Sequence, residues 1–446
     1  MRLAVATSLL ALAACTTEGV AKLPPADRLY YPTGVAFVGA DAGAGEGTLV
    51  VANSNFDNRY SYGSLVSLDL NAVGLPPFPG ASDAGVQQID GLGLGGHPGE
   101  MVLTDAFAGP QIGTFALPAG GTRLFIPTRG QGNYVHVVDL DLPGASRRLT
   151  CFQGGADPQD CTVGALGLTY NEAHGIAKPR APEPIGVTVD APSHQVFVTH
   201  RMPATSPLGT FDNPESYLVR LDALSPAISD DSFLSIGQGG ADAVTVDGRF
   251  AFIVGYAART LAAPPLLRYL DTAAPATVYG AALETSFHAA EGRDITTSTD
   301  GSRLYILGRV PAALIVASVS GLAAGTPNVI AVHGILLQLD PNRILRLSRP
   351  GRGDLFAITS SQANVVSFYD EEVGDLVAEV GSIGKQPYGL AADVRPGGGA
   401  RIYVSLFGDG QLAVIDLPDL NKPEEARLVA RVGLNQSCLI DGSGCP

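Results

Sequence analysis

Acidic and basic side chains recur at two matched places along this 446-residue sequence. Where a repeated segment opens its first short apolar stretch, successive copies carry Gly34, Glu100, Gly186, Asp242, Asp294 and Gly389, three of them acidic. Where the second stretch ends they carry Ser54, Arg129, Arg201, Tyr256, Arg309, Ser360 and Phe407, three of them arginine. Converging carboxylates ligate a hard cation, and guanidinium forks grip anionic or sugar-like ligands. The same two sets can instead neutralise each other as ion pairs that contribute little to stability. His97 and His200 fall near the same place, with no third ligand at metal spacing. The run Asn53 to Asn58, NSNFDN, lacks the glycine and closing glutamate of a calcium loop and reads as Asx-turn chemistry. There is no GxSxG elbow, HExxH or P-loop, and no tryptophan to stack on a quinone or a sugar. No residue is therefore assigned a catalytic role.

These side chains need a frame, and the sequence repeats one. Each copy runs from a Pro or Gly turn through a short apolar strand, a tight turn, a second apolar strand containing an aromatic, a variable loop, and a third strand ending in Asp. The first copy is YPTGVAF (31–37), TLVVANS (48–54) and GSLVSLDL (63–70). The second is read as HPGEMVL (97–103), GTRLFIPTR (121–129) and NYVHVVDLD (133–141). Five more begin near 183, 240, 292, 342 and 386, the sixth being weakest in its first strand. Period-2 alternation and turn dipeptides make each copy a β-meander. A meander cannot bury both faces alone, whereas stacking such sheets around an axis does.

Leu49-Val50-Val51-Ala52-Asn53, Val196-Phe197-Val198-Thr199-His200 and Ile402-Tyr403-Val404-Ser405-Leu406, with Val138-Asp139 and Ile415-Asp416, resemble the YVTN family of β-propeller repeats. Copies four to six depart from its Pro-x-Gly start. The resemblance implies an all-β propeller of seven four-stranded blades over 28–434, six or eight staying open. Ring closure stays open too, between pairing of the Arg28 to Tyr31 segment with the last blade and blades that are each contiguous. In a meander the start of the first strand and the end of the second share one edge. Glu100, Asp242 and Asp294 are therefore expected around the channel mouth, with Arg129, Arg201 and Arg309 just outside them.

Residues 1–14, with Arg2 ahead of a short apolar run, read as a signal peptide too short to span a membrane. Leu12-Ala13-Ala14-Cys15 resembles a bacterial lipobox, which implies a lipid on Cys15, a tether over 15–27 and, with Thr16 next, outer-membrane attachment facing the periplasm or the surface. Export makes Cys151, Cys161, Cys438 and Cys445 an even set for disulfides. Pairing of sequence neighbours, the second pair in a tail over 435–446, is the simplest of three connectivities. A net charge of −15 argues against a nucleic-acid surface. Propeller frames host many activities. The expectation is a scaffold binding a protein, peptide or glycan, with no cofactor assigned. The alternative is a propeller enzyme of the lactonase or quinoprotein-dehydrogenase-like class, using a divalent cation on Glu100, Asp242 and Asp294.

Overall fold

The computed structural model describes residues 21–39, 46–80, 85–95, 99–130, 132–141, 147–168, 182–201, 215–255, 266–275, 277–281, 283 and 291–435. Cys15, His97, Tyr256, Cys438 and Cys445, with most of the 202–215 insertion, lie outside these residues.

Seven antiparallel sheets follow one another along the chain and form a seven-bladed β-propeller. In blade 1 the strands from the axis outward are Pro32–Val38, Thr48–Asn53, Gly63–Asp69 and Met101–Thr104. Blade 5 shows the regular case, with Gly292–Thr297, Arg303–Gly308, Ala313–Ser320 and Asn328–Leu336. Second strands are packed by neighbouring blades on both faces, so their sequences are continuously apolar rather than alternating. All six residues of Thr48–Asn53 and of Leu355–Ser360 are buried. The edge strand Asn328–Leu336 instead exposes Ile330 and Val332. The core accordingly falls into seven apolar clusters, one at each junction between adjacent blades.

Hydroxyls near the ends of second strands rivet blade to blade. Thr199, Thr359 and Ser405 each accept from an inner-strand N–H of their own blade, at Gly186, Arg343 and Gly389. Each then donates to an inner-strand carbonyl of the next blade, at Asp242, Tyr388 and Thr33. The Ser405 to Thr33 bond, at 2.9 Å, crosses the seam between the last blade and the first.

Each blade draws its four principal strands from one stretch of the chain, the second of the closures left open from sequence, although in blade 1 the 71–96 insertion runs between the third and fourth strands. The 71–96 insertion leaves blade 1 and lays Gln87–Ile89 parallel against Arg427–Val432, adding a fifth strand to blade 7. On the way, Asp416 accepts from the Gly80 N–H at 2.8 Å, and Arg401 donates to the Pro76 carbonyl at 2.9 Å. Arg401 and Asp416, 1% and 0% exposed, form a two-pronged ion pair beneath this strap. This gives the Asp that ends the third strand a structural task, repeated by Arg123–Asp139 and Arg349–Asp370.

Two expectations about particular segments are corrected. Met101–Thr104 is the outer strand of blade 1, and the inner strand of blade 2 is Gly113–Ala116. The insertion had separated the outer strand from its blade, and His97-Pro98-Gly99 imitated a repeat start. The 142–182 insertion supplies two outer pieces of blade 2, Arg148–Cys151 and Leu166–Gly167, and the Cys151–Cys161 disulfide ties the loop between them.

Candidate functional site

The mouth of the ring is set by a backbone device. The residue just ahead of the inner strand takes a positive φ in four blades, at Tyr31, Glu183, Asp340 and Gln386, and in blade 2 Phe107 does so just ahead of Ala108, which bridges to Thr128. Non-glycine residues rarely adopt that conformation. It turns the carbonyl to accept from the residue just past the second strand: Ser54, Arg129, Arg201, Ser361 and Phe407, at 2.9–3.1 Å. Arg309 bonds Glu291 in the same way at 2.9 Å. These bonds bring Arg129, Arg201 and Arg309 to one face, as expected. Ser361 rather than Ser360 is the sixth equivalent, because Ser360 still pairs with Pro341 inside the sheet.

The three arginines line a single cavity of 270 Å³, joined by Arg293, which the sequence comparison missed. Across from them stand Phe56, Phe107, Tyr388 and Phe407. Tyr31 completes an aromatic cluster with centroid separations of 5.1 Å to Phe407 and 6.1 Å to Phe56, and Phe56 lies 5.3 Å from Phe407 and 5.7 Å from Phe107. The mouth therefore has an arginine side from blades 2 to 5 and an aromatic side from blades 7, 1 and 2.

The carboxylates divide. Asp242 is 4% exposed and lies behind Arg201, whose Nε is 3.1 Å from Oδ1. Burial pushes its carboxyl up to about 7, Arg201 pulling it down and Glu291 raising it further. Glu291 faces Arg201, Arg293 and Arg309 at 3.4, 3.2 and 3.5 Å, and Asp340 accepts from Arg309 at 2.6 Å. Glu291 and Asp340 were overlooked because they stand ahead of the repeat's usual starting column. Among the described residues Arg129 has no ion pair, and its buried Nε has no hydrogen-bond partner. Among the described residues four guanidiniums thus meet three carboxylates at the mouth, an excess of positive charge in a chain whose net charge is −15.

Asp294 does something else. Ala243 pairs with Val254 as Asp294 pairs with Leu307, and Gly255 and Gly308 follow, so Asp242 corresponds to Arg293 and Asp294 sits one step deeper. There Asp294 takes Arg343 at 2.7 Å and the N–H groups of Ile295 and Ile344 at 2.9 and 2.8 Å. Burial still pushes its carboxyl up, against Arg343 and those donors. Gln111 of blade 2 reaches it from across the axis at 3.4 Å, its own carbonyl accepting from the Val187 N–H at 2.8 Å. Arg343 and Gln111 line a second cavity of 370 Å³ further down the channel, so this polar bridge floors the mouth.

Glu100 is not at the mouth. It precedes the outer strand of blade 1, where its carboxylate accepts from the Gly95 N–H at 2.9 Å and its carbonyl from Ser67 at 2.9 Å. His200 is buried and accepts from the Tyr217 N–H at 2.9 Å, a structural role. Among the described residues no three His, Cys, Asp or Glu side chains are grouped to share a metal ion.

Fold and site together define a seven-bladed β-propeller with a floored, arginine- and aromatic-lined mouth. No family model and no curated protein matches this sequence. Among solved structures, the chain resembles Kuenenia stuttgartiensis hydrazine synthase at 12% identity, over 90% of this chain and 98% of that one, with a TM-score of 0.54. It resembles the periplasmic gluconolactonase of Pseudomonas aeruginosa at 14% identity, over 91% and 97%, with a TM-score of 0.52. At such identities the likeness is one of fold.

Proposed function

We propose that this chain is a YVTN-type, lipid-anchored propeller of the cell envelope whose mouth cavity binds a small organic anion. The observation that carries the reading is Arg129, a guanidinium without a carboxylate partner among the described residues, on the wall of a cavity already lined by Arg201, Arg293 and Arg309. Arg129 is half-buried, and a buried guanidinium nitrogen such as its Nε is ordinarily paired. A ligand carboxylate or phosphate supplies the missing acceptors in a two-pronged bond. A cavity of 270 Å³ suits a small molecule better than the peptide or glycan chain expected from sequence.

Calorimetry of the full chain in detergent with acetate, citrate, benzoate and inorganic phosphate tests this. At least one should bind, and Arg129→Met should weaken it by more than about tenfold, as expected for loss of a charge-assisted bond. No binding by any of the four overturns the reading. The anchor rests on the lipobox-like Leu12 to Cys15. Incorporation of a labelled fatty acid, lost in Cys15→Ala, tests it separately.

A second reading has one observation in its favour. A carboxyl held near neutrality beside an arginine, as Asp242 is, has the properties of a general base for lactone hydrolysis. Turnover of gluconolactone that disappears in a folded Asp242→Asn variant would establish it. Absence of turnover at saturating substrate would remove it.

A further inference from the structure

We infer that the mouth selects a single-ring aromatic carboxylate, its ring seated among Phe56, Phe107 and Phe407 and its carboxylate held by Arg129. This inference rests on the anion-binding reading and adds the body of the ligand to its charge.

Phe56 is 53% exposed although it belongs to an aromatic cluster. A large exposed apolar side chain is unremarkable on a loose surface loop. This loop is built. Asn55, only 1% exposed, takes a positive φ of 49° and bonds Tyr60 both ways, donating to its carbonyl at 2.7 Å and accepting from its N–H at 3.2 Å. Asn58 N–H closes back on the Asn55 carbonyl at 3.0 Å, and Asp57 accepts from the Arg59 N–H at 3.1 Å. The NSNFDN run therefore spends its Asx chemistry on holding one phenylalanine over the mouth.

The rest of the mouth meets that ring. Phe56 stands edge-on to both Phe107 and Phe407, at 80° and 76°. The edge-to-face preference of aromatic pairs makes this an unfinished cage that a further ring completes. Phe107 is joined to Arg129 by a backbone hydrogen bond of 3.1 Å, so the aromatic side and the unpaired cation are adjacent and mutually fixed. A ligand reaching both carries an anion and a ring on one small body. The cavity of 270 Å³, floored by Asp294, Arg343 and Gln111, leaves room for one ring rather than a fused system.

Calorimetry of the full chain with benzoate, phenyl phosphate and cyclohexanecarboxylate tests the inference. Benzoate should bind about three- to tenfold more tightly than cyclohexanecarboxylate, the usual surplus of an aromatic contact over equal apolar area. Phe56→Ala should abolish that ratio, weakening benzoate by more than cyclohexanecarboxylate, and Phe56→Tyr should restore it. Equal affinity for the two carboxylates, or a ratio unchanged in Phe56→Ala, overturns the aromatic assignment alone. Preference for phenyl phosphate over benzoate overturns the carboxylate but keeps the ring. Failure of every anion to bind overturns the anion-binding reading as well.

Discussion

Anion binding at the mouth should be coupled to a proton through Asp242. In the empty site burial holds this carboxyl at about 7, with Arg201 and, less strongly, Arg129 and Arg309 opposing, and Glu291 reinforcing. Arg129 already acts on Asp242 through space, so a carboxylate held by Arg129 is near enough to repel it. Two like charges about 6 Å apart repel by about 2.8 kcal/mol at an effective dielectric of about 20. That energy moves the Asp242 carboxyl from about 7 toward about 9 when the ligand is present. Binding then takes up a proton. Affinity should be highest and flat below pH 7, fall about tenfold per pH unit to pH 9, and flatten again above it. Asp242→Asn fixes the uncharged form, so it should bind benzoate with the wild-type low-pH affinity at every pH from 6 to 9. Calorimetry in two buffers of different ionisation enthalpy reads both the affinity and the proton count. A wild-type affinity that is level across this range, or an unchanged slope in Asp242→Asn, would refute the reasoning. Stability gives an independent check. Because the folded carboxyl is raised, the native state holds its proton more firmly than the unfolded chain. The benefit is complete below about pH 4 and lost as pH rises through 7. Asp242→Asn should therefore stabilise the protein at pH 8 by up to about 4 kcal/mol and leave it unchanged at pH 4.

Other outcomes follow from the frame. Asp416→Ala leaves the buried Arg401 with only Glu46, 3.9 Å away, as a carboxylate partner and frees Gly80. It should cost about 3–5 kcal/mol in denaturant unfolding, with Asp416→Ala/Arg401→Met recovering part of it. Ser405→Ala strands the Gly389 N–H and the Thr33 carbonyl at the seam and should cost about 1–3 kcal/mol. Loss of the Cys151–Cys161 bond in Cys161→Ser should cost about 2–3 kcal/mol, seen as a lower unfolding midpoint under oxidising conditions only. Glu100→Gln should leave benzoate affinity unchanged, since that side chain belongs to the outer rim of blade 1.

The repeat was readable because second and third strands carry the same physical burden in every blade. Thr48–Asn53, Gln195–His200 and Ala400–Leu406 match their sequence segments within a residue or two. Inner strands were harder to read. They are short, their start depends on a turn rather than on side-chain packing, and Gly113–Ala116 lacks Pro-x-Gly altogether. That is why Glu100 was placed at the mouth and Asp242 put in the column of Asp294. The arginines were found because they follow the strongest pattern in the repeat. Arg293, Glu291 and Asp340 escaped because they precede it, although the position ahead of each Pro-x-Gly could have been compared in the same way. The aromatic side was invisible to a search for charge, and nothing in the sequence showed that Gln111 would reach across the axis to Asp294.

The strap from blade 1 to blade 7 also decides how the molecule responds to being pulled. A ring whose last sheet borrows its edge from the chain's first residues is held shut by the segment nearest the tether. Traction on such a tether peels the ring open. Here the clasp is cut from an internal insertion, Gln87–Ile89, and the incoming segment touches blade 1, where the Ser61 N–H donates to the Lys22 carbonyl and the Lys22 N–H to Ser61 Oγ. With a lipid on Cys15, drag on the body would load that short rim contact first and leave the seam slack. The ring can then swing on its leash without unbuckling.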